Sequence, residues 1–192
     1  HDEVVGTVGE APGAISIVES PADVEKLPFT DADPLVYLTQ TTLSMDDANL
    51  IIDAIKKRYP HVKSPPSEDI CYATTNRQHA VRDLGRDVDV VLVVGSRNSS
   101  NSVRLTEISQ NTGTRAYLVD DVSELRHEWF DGVENVLVTA GASAPEHLVR
   151  EIVDNLLTKH GGQVEERHVV EEDMHFELPI SLRRLRERAP VR

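Results

Sequence analysis

The residues with the clearest capacity for chemistry are Ser99, Ser100 and Asn101, in the run Gly95-Ser-Arg-Asn-Ser-Ser-Asn-Ser102. An apolar stretch, Val90 to Val94, empties into this loop, and Val103, Leu105 and Ile108 then begin helical spacing. The loop therefore sits at a helix N-terminus, where free backbone N–H groups and about half a positive charge stabilise an anion without a lysine. The scheme occurs twice more. Thr41 lies in Thr39-Gln-Thr-Thr-Leu-Ser-Met-Asp-Asp47, between the apolar Val36–Leu38 and a helix whose Leu50, Ile51, Ala54 and Ile55 share one face. Ser143 lies in Thr139-Ala-Gly-Ala-Ser-Ala-Pro145, before a stripe of Leu148, Val149, Ile152, Val153, Leu156 and Leu157. In open α/β sheets ligands bind outside the carboxyl ends of the strands, where all three turns fall. Either they converge on one polar ligand, or they are three separate helix caps, since Ser and Asn are ordinary cap residues.

Cys71, the lone cysteine, stands directly before a helix in Asp69-Ile-Cys-Tyr-Ala-Thr-Thr-Asn-Arg-Gln78. A thiol so placed has a lowered pKa. Three readings stay open for it: a small buried hydrophobe, half of a Cys–His pair, or one ligand of an iron–sulfur cluster whose other ligands this chain lacks. Spacing assigns it no histidine. His61, His79, His127, His147, His160, His168 and His175 are scattered without metal-ligand spacing and receive no ligand role. Asn76, Arg77 and Gln78 read as structural bracing of the cysteine loop.

The elements that must position these side chains alternate along the chain. Strands are expected at Ala14–Val18 and Leu35–Leu38, with helices at Pro21–Lys26 and Met45–Tyr59. Pro60, Pro65 and Pro66 mark a linker over 61–68. Helices at Asn76–Leu84, Ser100–Asn111, Val122–Trp129 and Pro145–Lys159 then alternate with strands at Val88–Val94, Arg115–Val119 and Asn135–Thr139. The strand at 90–94 is apolar on both faces, as in a parallel sheet covered on two sides. The expected fold is α/β: two similar units with parallel sheets, 1–66 and 67–159, and an extended C-terminal tail over 160–192. The tail carries Glu165, Glu166, Glu171, Glu172 and Asp173, with a strand expected over Val164–Val169. Its Arg183, Arg184, Arg186 and Arg188 read as a solvated helix face. His1 to Gly9 reads as a loop with no strand before it, so residues are expected to be missing upstream.

A chain of 192 residues with net charge −13 has room for real cores and repels nucleic acid and anionic membrane surfaces. No apolar run approaches the roughly 18 residues a membrane span needs. A soluble cytoplasmic protein is expected, and a single cysteine agrees with a reducing compartment.

Taken together, the runs Thr39–Asp47, Asp69–Gln78, Val91–Ser102 and Thr139–Pro145, in this order, resemble the LytB-type 4-hydroxy-3-methylbut-2-enyl diphosphate reductases from His1 to about Leu157. The resemblance implies the last step of the methylerythritol phosphate route to isoprenoids. Two electrons and two protons remove the allylic hydroxyl as water, leaving isopentenyl and dimethylallyl diphosphates. It also implies three similar α/β units around a [4Fe-4S] cluster held by three cysteines, and a ferredoxin or flavodoxin as electron donor.

Carried over by position, Cys71 matches one cluster ligand, and the other two belong to the missing upstream portion. Glu3 matches the acid that delivers protons toward the departing hydroxyl, and Thr41 the residue that hydrogen-bonds this hydroxyl and passes the proton on. His1, Ser99, Ser100, Asn101 and Ser143 match the residues around the diphosphate. Hydroxide is a poor leaving group, so an acid within hydrogen-bond reach fits the task. These residues alone are expected to be inactive. A non-catalytic phosphometabolite-binding module that keeps the serine cradle is the alternative.

Overall fold

A computed structural model describes residues 1–66, 69–171 and 174–183. Its centre is a three-stranded parallel sheet in the order β2-β1-β3, with β1 at Val90–Val94, β2 at Arg115–Val119 and β3 at Val136–Ala140. Helices α1 (Asp2–Glu10), α2 (Pro21–Val24), α3 (Met45–Arg58), α4 (Tyr72–Leu84), α5 (Ser100–Asn111) and α6 (Glu146–His160) accompany it, and residues 180–183 are also helical. The β1–α5–β2 and α6 portions match expectation to within a residue or two.

The unbroken Val/Leu character of β1 has its cause in two covers. All five residues are 0% exposed. Val91 and Val93 pack with Val81 of α4 and with Leu105 and Ile108 of α5. Val90, Leu92 and Val94 pack on the opposite face with Ile152 of α6, Val119 and Phe130. Successive side chains of a strand point to opposite faces, so a polar residue anywhere in β1 would enter one core or the other. The central strand is thereby fixed, and the loop leaving its carboxyl end starts from a rigid base.

Helix α3 starts where Ser44 accepts a hydrogen bond from the Asp47 N–H. Asp46 and Asp47 occupy its first turn, and Lys56, Lys57 and Arg58 its last, which matches the helix dipole at both ends. The same two aspartates also reach across to other helices. Arg82 of α4 meets Asp46 at 2.7 Å, and Arg104 of α5 meets Asp47 at 3.1 Å. Residues 1–66 are thus tied to the sheet unit through the start of α3.

Several expectations fail, each for a local reason. The segment 14–18 forms no strand, and 35–38 contributes only a parallel bridge, Val36 to Lys63. A strand exists through its neighbours, and among the described residues this backbone is bonded by Lys63, whose N–H donates to Leu35 C=O at 2.9 Å and whose C=O accepts from Tyr37 N–H at 3.3 Å. Ile17, Val36 and Leu38 stay more than half exposed. The parallel sheet of the described residues therefore lies wholly within 90–140.

The opening segment is helix rather than loop. Gly6 and Gly9 weaken helical propensity, but Asp2 and Glu3 suit a first turn, and His1 Nδ1 accepts from the Glu3 N–H at 3.3 Å as an N-cap. The expected helix over 122–129 is two 3-10 turns, Val122–Glu124 and His127–Phe130, split where Leu125 and Arg126 are extended. No strand forms over 164–169, whose residues are exposed. Of the tail arginines, Arg183 pairs with Glu177 at 2.6 Å. Arg184, Arg186 and Arg188, with Glu172 and Asp173, lie outside the described residues, as do Ser67 and Glu68 of the expected linker.

Candidate active site

The first group of predicted residues is brought together by three elements. Glu3 on α1 reaches the turn before α3: its carboxylate accepts the Thr41 N–H at 3.0 Å and the Thr41 hydroxyl at 3.2 Å. The Thr41 carbonyl accepts the Cys71 N–H at 2.9 Å. His1 caps the helix that carries Glu3. An acid, a hydroxyl and a thiol-bearing residue therefore follow one another through direct hydrogen bonds across 38 positions between Glu3 and Thr41. A hydroxyl that donates to a carboxylate can accept that carboxyl's proton and hand on its own, which is the geometry of a two-step proton relay.

Cys71 is the N-cap of α4 and is partly buried and free. Its carbonyl accepts the N–H groups of Thr74 at 2.8 Å and Thr75 at 3.0 Å. Among the described residues no group of three or more His, Cys, Asp and Glu is placed to hold a metal ion.

The second group is built on the carboxyl end of β1. Ser99 caps α5, its hydroxyl accepting the Ser102 N–H at 3.3 Å and the Ser102 hydroxyl at 3.1 Å. Ser102 is wedged between two glycines. A Cβ on Gly95 would stand 2.3 Å from Ser102 Oγ, and one on Gly141 would stand 2.1 Å from it. Both turns thus approach the first turn of α5 as closely as they do because no side chain intervenes. Beside this contact lies Asn101, 4% exposed. Its Oδ1 and Nδ2 are both buried without a hydrogen-bond partner. Leaving buried polar atoms unpaired costs about 1–3 kcal/mol each, so this amide, as placed, works against the stability of the helix start.

Ser143 stands with the same end of the sheet. It helps line a hollow of about 330 Å³ together with Gly95, Ser96, Asp120, Asp121 and Pro145. The β1–α5 and β3–α6 turns, which the alternation of strands and helices put at one sheet edge, therefore meet. Helix α4, which begins after Cys71, packs on α5, which begins after Ser99.

Sequence reasoning missed two participants, the Gly95–Ser102–Gly141 contact and Arg97, whereas Gln78, read as bracing for the cysteine loop, is buried and bonded to the turn after Thr41. Arg97 sits inside the serine-rich loop, yet its guanidinium grips Glu124 through two bonds of 2.8 and 3.1 Å and reaches Asp120 at 3.5 Å. The bond to Glu124 raises the Arg97 pKa, and the same bond holds the Glu124 carboxyl below its ordinary value. With this arginine engaged by acids, the donors left at the helix start are hydroxyls, an amide and backbone N–H groups. The signal for this was the acidic set Asp120, Asp121 and Glu124 directly after β2.

Comparison with known proteins settles the family. The profile of the LytB protein family matches residues 1–157. The chain belongs to the LytB family. A 4-hydroxy-3-methylbut-2-enyl diphosphate reductase of Psychrobacter sp. (strain PRwf-1) is 50% identical over 95% of the chain and 59% of its own length. The enzyme of that name from Rhodopirellula baltica is 51% identical over 95% of the chain and 57% of its own length. The solved structure of the E-1-hydroxy-2-methyl-but-2-enyl-4-diphosphate reductase of Plasmodium falciparum superposes with a TM-score of 0.89 at 38% identity. That match covers 98% of this chain and 60% of the other. This LytB chain thus spans somewhat more than half the length of the relatives it matches, and its α/β fold is theirs. No helix among the described residues is long and apolar enough to cross a membrane.

Proposed function

We propose that this chain supplies the substrate-binding and proton-delivering part of a LytB-type reductase. The reaction is that named for its relatives: 4-hydroxy-3-methylbut-2-enyl diphosphate takes up two electrons and two protons, its C–O bond to the hydroxyl breaks, and water and an isopentenyl or dimethylallyl diphosphate leave. The observation that carries this reading is the hydrogen-bonded succession Glu3–Thr41–Cys71.

In it, Thr41 holds the substrate hydroxyl and Glu3 replaces the proton that Thr41 passes on. Ser99, Ser100, Asn101, Ser143 and His1 bind the diphosphate. Neutral donors and helix-start N–H groups suit this task in a chain of net charge −13, because they act locally against an unfavourable overall field. The Asn101 amide is the donor set's most telling member, because its Nδ2 is a donor without a partner and of the kind that a phosphate oxygen accepts.

The [4Fe-4S] cluster fits this chain through one thiolate only. Cys71, facing the Thr41 loop at the start of α4, is the ligand it offers, and the other two belong to polypeptide outside these residues. When bound, such a cluster supplies the electrons and a Lewis-acidic iron for the hydroxyl. A ferredoxin or flavodoxin delivers those electrons, in the reducing environment of the cytoplasm that a lone cysteine suits. The single cysteine is also the observation that favours the second reading, a phosphometabolite-binding module without redox chemistry.

The two are separated by supplying the chain with the part of the Psychrobacter relative that it does not span, followed by anaerobic reconstitution with iron and sulfide. The pair is expected to show cluster absorbance and to remove the hydroxyl, whereas the chain alone does neither. Glu3→Gln in the pair should keep the cluster and lose turnover by about 100-fold or more. Full cluster loading of the chain alone, or diphosphate binding by a loaded pair that never turns over, would overturn the reading.

A further inference from the structure

Gln78 carries a structural burden that the proposed chemistry does not use. It is 0% exposed, in the middle of α4 and about two turns beyond Cys71. Its Nε2 donates to the Leu43 carbonyl at 2.8 Å, and its Oε1 accepts the Met45 N–H at 3.1 Å. Both halves of one amide thus hold backbone on either side of Ser44, in the turn that follows Thr41. Two more bonds join the same segments in the same sense. The Asp69 carboxylate accepts the Thr39 N–H at 2.8 Å, and the Cys71 N–H donates to Thr41 at 2.9 Å. Thr39, Thr41, Leu43 and Met45 therefore lie in order against Asp69, Cys71 and Gln78.

An apolar side chain at position 78 would fill this space while accepting any slight slide of the turn along α4. A buried amide does not, because both its atoms lose water and only one placement pairs both. We propose that Gln78 is a positioning residue: its amide fixes the register of the 39–45 turn on the 69–78 segment, and so sets the Thr41 backbone against Cys71 while the Thr41 hydroxyl meets Glu3. The proposal rests on the reading that Thr41 and Cys71 serve one ligand, but the register itself is tested with no ligand present.

The test is residue-resolved amide exchange by NMR on the 192-residue chain and on Gln78→Leu. Protection at Thr39, Met45 and Cys71 should fall about 10-fold or more, while Val91 to Val94 in the sheet keep their protection. A merely stabilising role would lower all of these together, through global opening, and that pattern would overturn the proposal. So would unchanged protection at Cys71.

Gln78→Glu provides the second arm should Gln78→Leu fail to fold. It keeps the acceptor for Met45 and regains a donor for Leu43 only when protonated, so Cys71 protection should recover as the pH falls from 7 toward 5. Equal protection factors at both pH values would count against the register role. Calorimetry of the unsubstituted chain with inorganic diphosphate reports separately on the ligand reading: a chain that binds none but shows the exchange pattern keeps the register and loses the ligand.

Discussion

Asn101→Leu should make this protein more stable and bind diphosphate worse. The amide is 4% exposed and neither Oδ1 nor Nδ2 has a partner, so a branched apolar side chain of similar outline removes an uncompensated desolvation cost. Thermal unfolding should show a gain of about 1–2 kcal/mol. Calorimetry with inorganic diphosphate should show affinity falling about 10- to 100-fold, the range expected for losing a hydrogen bond to a charged group. The opposite signs are the point: a residue whose role is to cap or pack α5 would lose stability and leave binding alone. A drop in stability with unchanged affinity would return Ser99–Asn101 to the status of an ordinary helix start.

The second large effect is expected from Gly95→Ala. Its new Cβ would meet Ser102 Cβ at 2.9 Å as well as Ser102 Oγ at 2.3 Å. The hydroxyl can turn aside, but Ser102 Cβ is fixed to the first turn of α5, so the backbone must yield. Overpacking of this kind costs about 1–3 kcal/mol, and the yielding element is the helix start that carries Ser100 and Asn101. Chemical denaturation should register the loss. Ser102→Gly added to Gly95→Ala should return most of it, because it removes the side chain that the new Cβ collides with, and that Cβ fills part of the space so vacated. Simple addition of two separate penalties would show that the contact between the β1 end and α5 does not govern this corner.

The sheet unit was legible in the sequence because its signals are local and agree with one another. Val90–Val94 has no polar face to hide, Ser99 is a cap residue in a cap position, and Pro145 precedes the stripe led by Leu148. Residues 1–66 were less legible, for the converse reason. Strands at 14–18 and 35–38 were read from apolar composition, but a strand is completed by its neighbours, and among the described residues Val36 bridges to Lys63 without extending into a ladder. The helix at Asp2–Glu10 was hidden by its glycines and betrayed only by two acids in the first turn.

At the site, residue types and positions pointed to Ser99, Ser100, Asn101, Ser143, Thr41 and Cys71 individually, and resemblance supplied His1 and Glu3 and chose the cluster-ligand reading of Cys71. What no local pattern could show was association across distance. The bonds from Glu3 to Thr41, and from Gln78 to both sides of Ser44, join residues more than thirty positions apart. Arg97 illustrates the same limit: its place in a serine-rich loop suggests a ligand contact, and only the position of Glu124 in space shows its charge engaged elsewhere.

The central claim is that the turns bearing Thr41, Asn101 and Ser143 serve a single guest, with its phosphates at the α5 and α6 starts and its hydroxyl at Thr41. The most direct measurement is amide chemical-shift mapping with two ligands, inorganic diphosphate and 4-hydroxy-3-methylbut-2-enyl diphosphate. Both should move the signals of Ser100, Asn101 and Ser143, and only the second should also move Thr41 and its bonded neighbour Cys71. Saturation that leaves Asn101 and Ser143 unmoved, or a Thr41 signal that responds equally to the ligand with no hydroxyl arm, would contradict it.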